Sequence, residues 1–186
     1  PESTRAITSA GLALAASSAA MVLLGGGMAL RARRRPVVSG REEMVGASGR
    51  VLARWPVSTA LKGAGNAEGS NQTPLGRHRV RARIGAGQPI YSVFRGRRPT
   101  GELYSDAIGR EFPHRDWILT RILWLCGEEK GFNRGGCVDS QRRYIYIHGT
   151  PDTEPMGEPR SHGCIRMRNQ DVLDLFERVP VGTPVI

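Results

Sequence analysis

The sequence predicts a mainly β protein, a β-sandwich of two packed sheets with one helix near the C-terminal end. Short apolar runs alternate with turn-forming residues after residue 36, and the 186 residues include 24 Gly and 12 Pro. That content is typical of turn-rich β proteins. One apolar run, DWILTRILWL at 116–125, is nearly continuous, and only NQDVLDLFERVP at 169–180 has the spacing of an amphipathic helix.

The chain opens with a hydrophobic N-terminal segment. Residues 6–30 carry no charge, are mostly Ala, Gly and Ser, and precede the basic sequence RARRR. The segment is long enough to cross a bilayer, so residues 1–35 are interpreted as a signal peptide, a membrane anchor or a disordered tail. We favour export or anchoring, although the basic residues would by themselves keep the following chain cytoplasmic.

The remaining chain, residues 36–186, is predicted to form the folded domain. Its predicted strands share apolar alternation or β-branched content and are bounded by turn residues. In chain order they are PVVS at 36–39, VLARWPVST at 51–59, RHRVRARI at 77–84, IYSVF at 90–94, DWILTRILWL at 116–125, RRYIYIHG at 142–149 and GTPVI at 182–186. We expect the first two to pair across the turn GASG, and 116–125 to be central.

The strand RRYIYIHG has two different faces. With a period of two, Ile145 and Ile147 share one face, while Tyr144, Tyr146 and His148 share the other. The isoleucine face is predicted to be core, and the second face is predicted to line a groove.

The helix at 169–180 is predicted from a single apolar stripe. Asn169 is expected to cap its start, Asp171 lies in the first turn, and Pro180 ends it. The stripe consists of Val172, Leu175, Phe176 and Val179.

The charge and the cysteines restrict the class of protein. The formal net charge of +10 favours anionic partners such as an acidic cell-wall polymer or anionic lipid. The arginines are scattered, with few aromatic residues between them, so nucleic acid is not predicted as a partner. Three cysteines are too few for a disulfide scaffold. A bridge between Cys126 and Cys137 stays open, with Cys126 otherwise a core residue and Cys137 a loop residue.

The motif SHGCIRM at 161–167 contains the candidate nucleophile, Cys164. A thiol attacks well when a base removes its proton, and His148 and His162 are both candidates. Gly163 can turn the backbone so that neighbouring amides converge on one point, as an oxyanion hole requires. Arg166 could bind a substrate carboxylate through two hydrogen bonds.

Two simpler interpretations remain for these residues. An isolated cysteine is most often a small buried residue. His148, His162 and Cys164 are also legitimate zinc ligands, although no C-x-x-C or H-x3-H pair supports a metal site.

The motif order resembles that of the L,D-transpeptidase (YkuD-type) family of bacterial cell-wall enzymes. IHGT is followed by SHGCIRM with sixteen residues from His148 to Cys164, and WPVST, GSNQTPLG, RRPTGE, ILTRILWL and NQDVLDLF match in order. The similarity covers about residues 36–186, which are therefore predicted to be the catalytic domain.

The resemblance implies a β-sandwich of mixed sheets and roles for individual residues. Cys164 would be the nucleophile and His148 its base, oriented by the carbonyl of Gly149. Amides of His162, Gly163 and Cys164 would form the oxyanion hole. Substrate-binding residues are predicted as Arg166, Ser161, His162 and Tyr146. No metal and no cofactor is implied, and carbapenems would acylate the cysteine.

The implied activity is peptidoglycan cross-linking. Cys164 would acylate on a tetrapeptide stem, release D-alanine and pass the acyl group to an amine of a second stem, giving a 3→3 cross-link. The alternatives are an L,D-carboxypeptidase or endopeptidase, a lipoprotein-anchoring enzyme, and a non-catalytic murein-binding module. The implied location is the periplasm or cell envelope, with membrane association through residues 6–30.

Overall fold

A computed structural model describes residues 20–21, 41–45 and 49–186. Its elements, in chain order, are β1 Ala20–Met21, β2 Arg41–Val45, β3 Val51–Ser58, β4 His78–Ile84, β5 Ser92–Arg95, β6 Arg98–Leu103, α1 Asp106–Glu111, β7 Ile118–Gly127, a 3-10 helix Gly136–Val138, β8 Tyr146–Gly149, β9 Ile165–Met167, α2 Asn169–Arg178 and β10 Pro184–Val185. The predicted mainly β class, with a helix near the C-terminal end, is confirmed.

The strands form one curled, mixed sheet. Its order is β1-β2-β3-β9-β8-β7-β4-β10, and the hairpin β5–β6 branches from β7. Strands β8 and β9 are parallel, whereas β7 is antiparallel to β4, β5 and β8. The near-continuous apolar run in β7 is therefore central, as predicted, because it is covered on both faces.

The structure contains elements that the sequence analysis did not predict, among them β2, β6, α1 and β9. The strand predicted at 36–39 lies outside the described residues, and β3 pairs with β2 on one side and β9 on the other. Strand β6 was missed because it is exposed along its whole length and has no apolar alternation. Helix α1 was missed because it has only six residues; it begins where the Ser105 hydroxyl accepts from the Ile108 amide.

The main core lies on one face of the sheet, under α2. The predicted helix stripe is confirmed, since all four of its residues are buried in this cluster. The sheet contributes alternate residues of β7, β9 and the segment 145–149 that includes β8, as a strand period of two requires. They are Leu123, Leu125, Ile145, Ile147, Ile165 and Met167.

Asn169 joins three elements instead of capping α2. The N-cap is Arg168, which makes no side-chain cap bond, so the predicted cap was wrong. The Asn169 amide donates to Thr150 O at 2.7 Å and to Asp152 Oδ1 at 3.1 Å, and its Oδ1 accepts from Thr120 Oγ1 at 2.6 Å. Thr120 lies at the irregularity of β7, with φ of 65°.

Replacing Asn169 with alanine is expected to destabilise the protein by about 2–4 kcal/mol. The side chain is fully buried, and its loss leaves the Thr120 hydroxyl without its acceptor and Thr150 O without its donor. Denaturant unfolding followed by circular dichroism measures the change. Gln170→Ala, at the next and exposed position of the same helix, is expected to shift stability by less than about 0.5 kcal/mol. Equal small shifts for the two variants would contradict this role.

The predictions for the N-terminal segment and the cysteines have different outcomes. Of residues 1–35 only 20–21 are described, so the predicted signal peptide, anchor or tail lies almost wholly outside the described residues. Within those, no helix is both long and apolar enough to cross a membrane.

All three cysteines are free thiols, so Cys126 and Cys137 form no bridge. Cys126 is buried near the end of β7, as predicted, and Cys137 is exposed.

Candidate active site

Parallel pairing of β8 and β9 brings the two sequence motifs together. His148 lies opposite Arg166, and Ile147 lies opposite Ile165, so the preceding position sets Tyr146 beside Cys164. His148 and Cys164 are therefore diagonal neighbours on adjacent strands, a separation that an aromatic ring can bridge. Sixteen residues apart in sequence, the predicted base and nucleophile share one sheet face.

That face is the opposite of the main core. Cys164 packs with Phe94, Ile122 and Tyr146, whereas Ile145 and Ile147 belong to the cluster under α2. Tyr146 lies on the face opposite to Ile145 and Ile147, as predicted, but it is buried in the cluster beside Cys164, so its place in a groove stays a prediction. Tyr144 precedes the strand, in a turn, with φ of 57° and 53% exposure.

The His148 imidazole is held in one orientation. Its Nδ1 lies 2.8 Å from the carbonyl oxygen of Gly149, and a carbonyl only accepts, so Nδ1 carries the proton and Nε2 keeps its lone pair. Burial lowers the pKa of His148, against the opposing effects of the Asp116 charge and the Gly149 hydrogen bond. The ring is therefore neutral at pH 7, the form a general base needs.

Gly149 is required by space as well as by its carbonyl. A Cβ at this position would lie 2.7 Å from Leu119 O and 2.7 Å from Asn169 Oδ1. Both atoms are fixed, one in the backbone of β7 and the other in the Asn169 network. Any larger residue would therefore displace the carbonyl that orients His148.

The Cys164 thiol is in its neutral form at rest. Its Sγ accepts from the Tyr146 amide at 3.4 Å and donates to Tyr144 O at 3.5 Å. Burial raises the pKa of Cys164 to about 12, despite the Tyr146 hydrogen bond and the charges of Arg166 and Arg143. His148 and Cys164 are therefore both neutral and do not form a thiolate–imidazolium ion pair. If Cys164 acts as a nucleophile, a base must take its proton during the attack.

The loop before Cys164 is organised by Ser161. The Ser161 hydroxyl donates to Cys164 O at 2.5 Å and accepts from the Gly163 amide at 3.2 Å. Gly163 has a φ of 134°, a value that residues other than glycine rarely adopt. One correction follows. Ser161 is 1% exposed and shapes the loop without reaching the groove. The Gly163 amide donates within the loop in this structure, and the oxyanion role of the His162, Gly163 and Cys164 amides stays a prediction.

Arg166 is also engaged by the protein. It is 8% exposed, and its Nη2 lies 2.8 Å from Asp116 Oδ1 while Nη1 lies 3.7 Å from Glu154 Oε2. The predicted bidentate contact with a substrate carboxylate is therefore occupied by protein carboxylates. His162 is exposed and free to contact a substrate, and Tyr146 forms the wall beside the thiol.

Sequence reasoning missed three residues around the thiol. Asp116 directly precedes the β7 region and acts on the pKa of both His148 and Cys164. Arg143 donates to Gln72 O at 2.6 Å and to Gly65 O at 3.1 Å, which fixes loop 61–76 beside Gly163. Their only sequence signal was a charged residue next to an apolar strand, which is too common to select a site.

Arg97 is the third missed residue. It lies at the turn of the β5–β6 hairpin, with its guanidinium carbon 4.6 Å from the ring centre of Trp124 and 4.9 Å from that of Tyr144. Its Nη1 donates to Tyr146 Oη at 3.0 Å. These contacts hold the hairpin tip against the aromatic wall of the thiol.

The zinc interpretation gains no support from the geometry. Within the part of the chain that the structure describes, no three His, Cys, Asp or Glu side chains are grouped so that they could hold a metal ion. His162 is exposed, whereas the His148 Nδ1 atom faces a backbone carbonyl.

Comparison with known proteins identifies one family. The sequence profile of the L,D-transpeptidase catalytic domain (YkuD) matches residues 32–186. The probable L,D-transpeptidase YbiS of Escherichia coli (strain K12) is 54% identical over 43 residues, 23% of this chain and 14% of that protein. The putative L,D-transpeptidase YqjB of Bacillus subtilis (strain 168) is 45% identical over 56 residues, 30% of each chain. The aligned stretches thus span less than a third of these relatives.

Solved structures of L,D-transpeptidases are similar to this chain at low sequence identity. An L,D-transpeptidase from Mycobacterium smegmatis shares 16% identity, with a TM-score of 0.40, over 90% of this chain and 57% of that one. L,D-transpeptidase 3 from Mycobacterium tuberculosis, in complex with a faropenem-derived adduct, shares 16% identity, with a TM-score of 0.40, over 90% and 58%.

Proposed function

Since the chain belongs to the L,D-transpeptidase catalytic-domain family, we propose that it transfers peptidoglycan stem peptides through a thioester on Cys164. One observation carries the proposal. The buried, neutral His148 keeps its Nε2 unprotonated because its Nδ1 donates to Gly149 O, and it lies on the same sheet face as the Cys164 thiol, one strand away. This is the arrangement of a general base beside a nucleophile.

The proposed first half-reaction forms the thioester. His148 Nε2 takes the thiol proton as Sγ attacks the carbonyl carbon of the third stem residue. The oxyanion lies against the amides of His162 and Cys164. The intermediate collapses by breaking the C–N bond to the terminal D-alanine, whose amine takes the proton from the imidazolium. Nothing is oxidised or reduced, and His148 is neutral again.

The second half-reaction transfers the acyl group. An amine of a second stem attacks the thioester carbon and gives its proton to His148, and Sγ leaves as thiolate and takes that proton back. The product is a 3→3 cross-link. Water or a lipoprotein lysine in place of the stem amine would give the carboxypeptidase, endopeptidase or anchoring activity, and the same Cys164 and His148 would serve each of them.

The proposed substrate also implies where in the cell the domain acts. Peptidoglycan stems are cross-linked outside the cytoplasmic membrane, so we place the domain in the periplasm or cell envelope. Export or anchoring through residues 6–30 would bring it there.

Product analysis on purified disaccharide-tetrapeptide tests the proposal. We expect mass spectrometry to show a dimer that has lost one D-alanine, formed by the intact chain and absent with Cys164→Ala. A monomeric tripeptide as the sole product would instead indicate hydrolysis, and attachment to an added lipoprotein would indicate anchoring. Binding without any product from the correctly folded chain would indicate a murein-binding module.

A further inference from the structure

Two tyrosines hold the Cys164 sulfur through their backbone atoms. The Tyr146 amide donates to Sγ at 3.4 Å, and Sγ donates to the Tyr144 carbonyl at 3.5 Å. Tyr146 is the first residue of β8 and is fixed there by its pairing with β7. Tyr144 lies before the strand, with φ of 57° and 53% exposure, so the sheet does not fix its carbonyl.

The side chains of these tyrosines form an aromatic wall with Trp124 of β7. Trp124 is stacked on Tyr144, with 6.3 Å between the ring centres, and it meets Tyr146 edge-on at the same distance. Trp124 and Tyr146 also belong to the cluster against which Cys164 packs. The aromatic wall of Trp124, Tyr144 and Tyr146 is therefore joined to the backbone atoms that contact the sulfur.

Arg97 contacts all three members of the aromatic wall. Its guanidinium carbon lies 4.6 Å from the ring centre of Trp124 and 4.9 Å from that of Tyr144. Its Nη1 donates to Tyr146 Oη at 3.0 Å. A planar guanidinium makes both kinds of contact at once, because its faces stack on rings while its edge donates. Within the described residues no carboxylate lies within ion-pair distance of Arg97.

The backbone at Arg97 indicates that its side chain has a role. Gly96 and Arg97 form the turn of the β5–β6 hairpin, between the paired residues Arg95 and Arg98. Both turn residues have positive φ, of 55° and 67°. A two-residue turn with positive φ at both positions most often has glycine at the second. An arginine there is strained, and its contacts with the aromatic wall offset that strain.

The hairpin that carries Arg97 is joined to the sheet near its base. Strand β5 pairs with β7 through Val93 and Phe94, and Phe94 packs in the cluster beside Cys164. Strand β6 pairs with β5 and is exposed along its whole length. The contacts of Arg97 therefore connect the tip of the hairpin to the thiol site.

We propose that Arg97 is a positioning residue for Cys164, acting by holding the aromatic wall in place. With the wall fixed, the Tyr144 carbonyl and the Tyr146 amide keep Sγ at one point, and the packed rings keep water from it. The effect on acyl transfer rests on the proposed function, whereas the hold on the thiol is independent of it. Loss of Arg97 makes the thiol more reactive towards a small reagent and less well placed for an acyl donor.

These two effects have different physical causes. Burial keeps the thiol protonated, since it raises the pKa of Cys164 to about 12, and admitting water lowers that pKa again. Alkylation by iodoacetamide depends on the thiolate and on access, so it becomes faster. Acylation also requires Sγ to meet the acyl carbon in one geometry beside His148, so it becomes slower.

The rates of alkylation and acylation of the full-length chain at neutral pH test the proposal. In Arg97→Ala we expect iodoacetamide to alkylate Cys164 about tenfold faster than in the wild type, and a carbapenem to acylate it about tenfold more slowly. Peptide mapping by mass spectrometry assigns the alkylation to each cysteine. Arg98→Ala removes the next, exposed arginine of the hairpin and should leave both rates within about twofold of the wild type.

The other two cysteines report on folding. Cys126 is buried and Cys137 is exposed, so loss of the wall accelerates alkylation of Cys164 alone, whereas general unfolding exposes Cys126 as well. Arg97→Gly is the second variant. Glycine suits the positive φ of this turn and lacks the side-chain contacts, so this variant should show both effects with Cys126 still protected.

Three outcomes overturn the proposal. The first is alkylation of Cys164 at the wild-type rate in both Arg97 variants. The second is faster alkylation without slower acylation. The third is exposure of Cys126 together with Cys164 in both variants, which would make Arg97 a general structural residue. A wild-type chain that the carbapenem does not acylate would count against the proposed function alone, because alkylation still measures the hold on the thiol.

Discussion

Replacing Cys164 with alanine is expected to abolish acylation of the protein by a carbapenem and all transfer to stem peptides. In the proposed mechanism the Cys164 thiol is the nucleophile, and alanine offers no atom that could form the thioester. Intact-protein mass spectrometry after incubation with a carbapenem should show one adduct on the wild type and none on Cys164→Ala. Circular dichroism should show an unchanged fold, since only one sulfur atom at a partly open position is removed.

A second cysteine supplies the control. Cys137 is the exposed free thiol, so it would react first if the adduct reflected accessibility alone. Cys137→Ala should therefore keep the single adduct. An adduct that survives in Cys164→Ala and disappears in Cys137→Ala would contradict the assignment of the nucleophile, as would substantial residual turnover by Cys164→Ala.

Replacing His148 with glutamine is expected to slow acylation of Cys164 by about 10²–10⁴-fold, the usual contribution of a positioned general base. The burial that raises the pKa of Cys164 to about 12 leaves about one thiol in 10⁵ ionised at pH 7 without help. In the proposed mechanism His148 removes that proton during attack. The rate of carbapenem acylation under pseudo-first-order conditions measures the loss, and His162→Gln is the matched variant. A larger loss for His162→Gln would mean that the two histidines are reversed.

The rate of carbapenem acylation is also expected to depend on pH. The base must be neutral, and the pKa of His148 is lowered from 6.5 by burial. The neutral form therefore persists below pH 6.5, and the wild-type rate should be level above pH 6.5 and fall only at more acidic pH. His148→Gln should lose this plateau and rise steadily towards the thiol pKa. A wild-type rate that rises steeply between pH 7 and 9 would show that His148 is not the base.

The strongest periodic patterns predicted their elements well. The apolar stripe of α2 and the continuous run in β7 are both buried as expected, because many side chains on one face need the same partner surface. The alternation of Ile145 and Ile147 against Tyr146 likewise separated the core face from the thiol face. Such patterns repeat within one segment, so they indicate its buried face whichever other segment packs against it.

Elements without repeated burial were not predictable. Strand β6 is exposed on both faces and exists because Thr100 and its neighbours hydrogen-bond to β5. Asn169 had the composition of a cap, yet its amide satisfies Thr150 and Thr120, which are distant in sequence. In both cases the deciding partner comes from another part of the chain, and no local pattern records it.

The sequence by itself determined the chemical identities at the site: a thiol, an imidazole followed by glycine, and a loop with a glycine before the thiol. These depend on residue type and spacing. Only the tertiary structure decided the protonation states of these groups and the residues that surround them. Burial makes both His148 and Cys164 neutral, the Asp116 carboxylate occupies Arg166, and pairing of β4 with β7 gathers Arg79 above Cys126. The physical reason is that pKa and ion pairing depend on distances and solvent exclusion between segments, and these exist only once the sheet has formed.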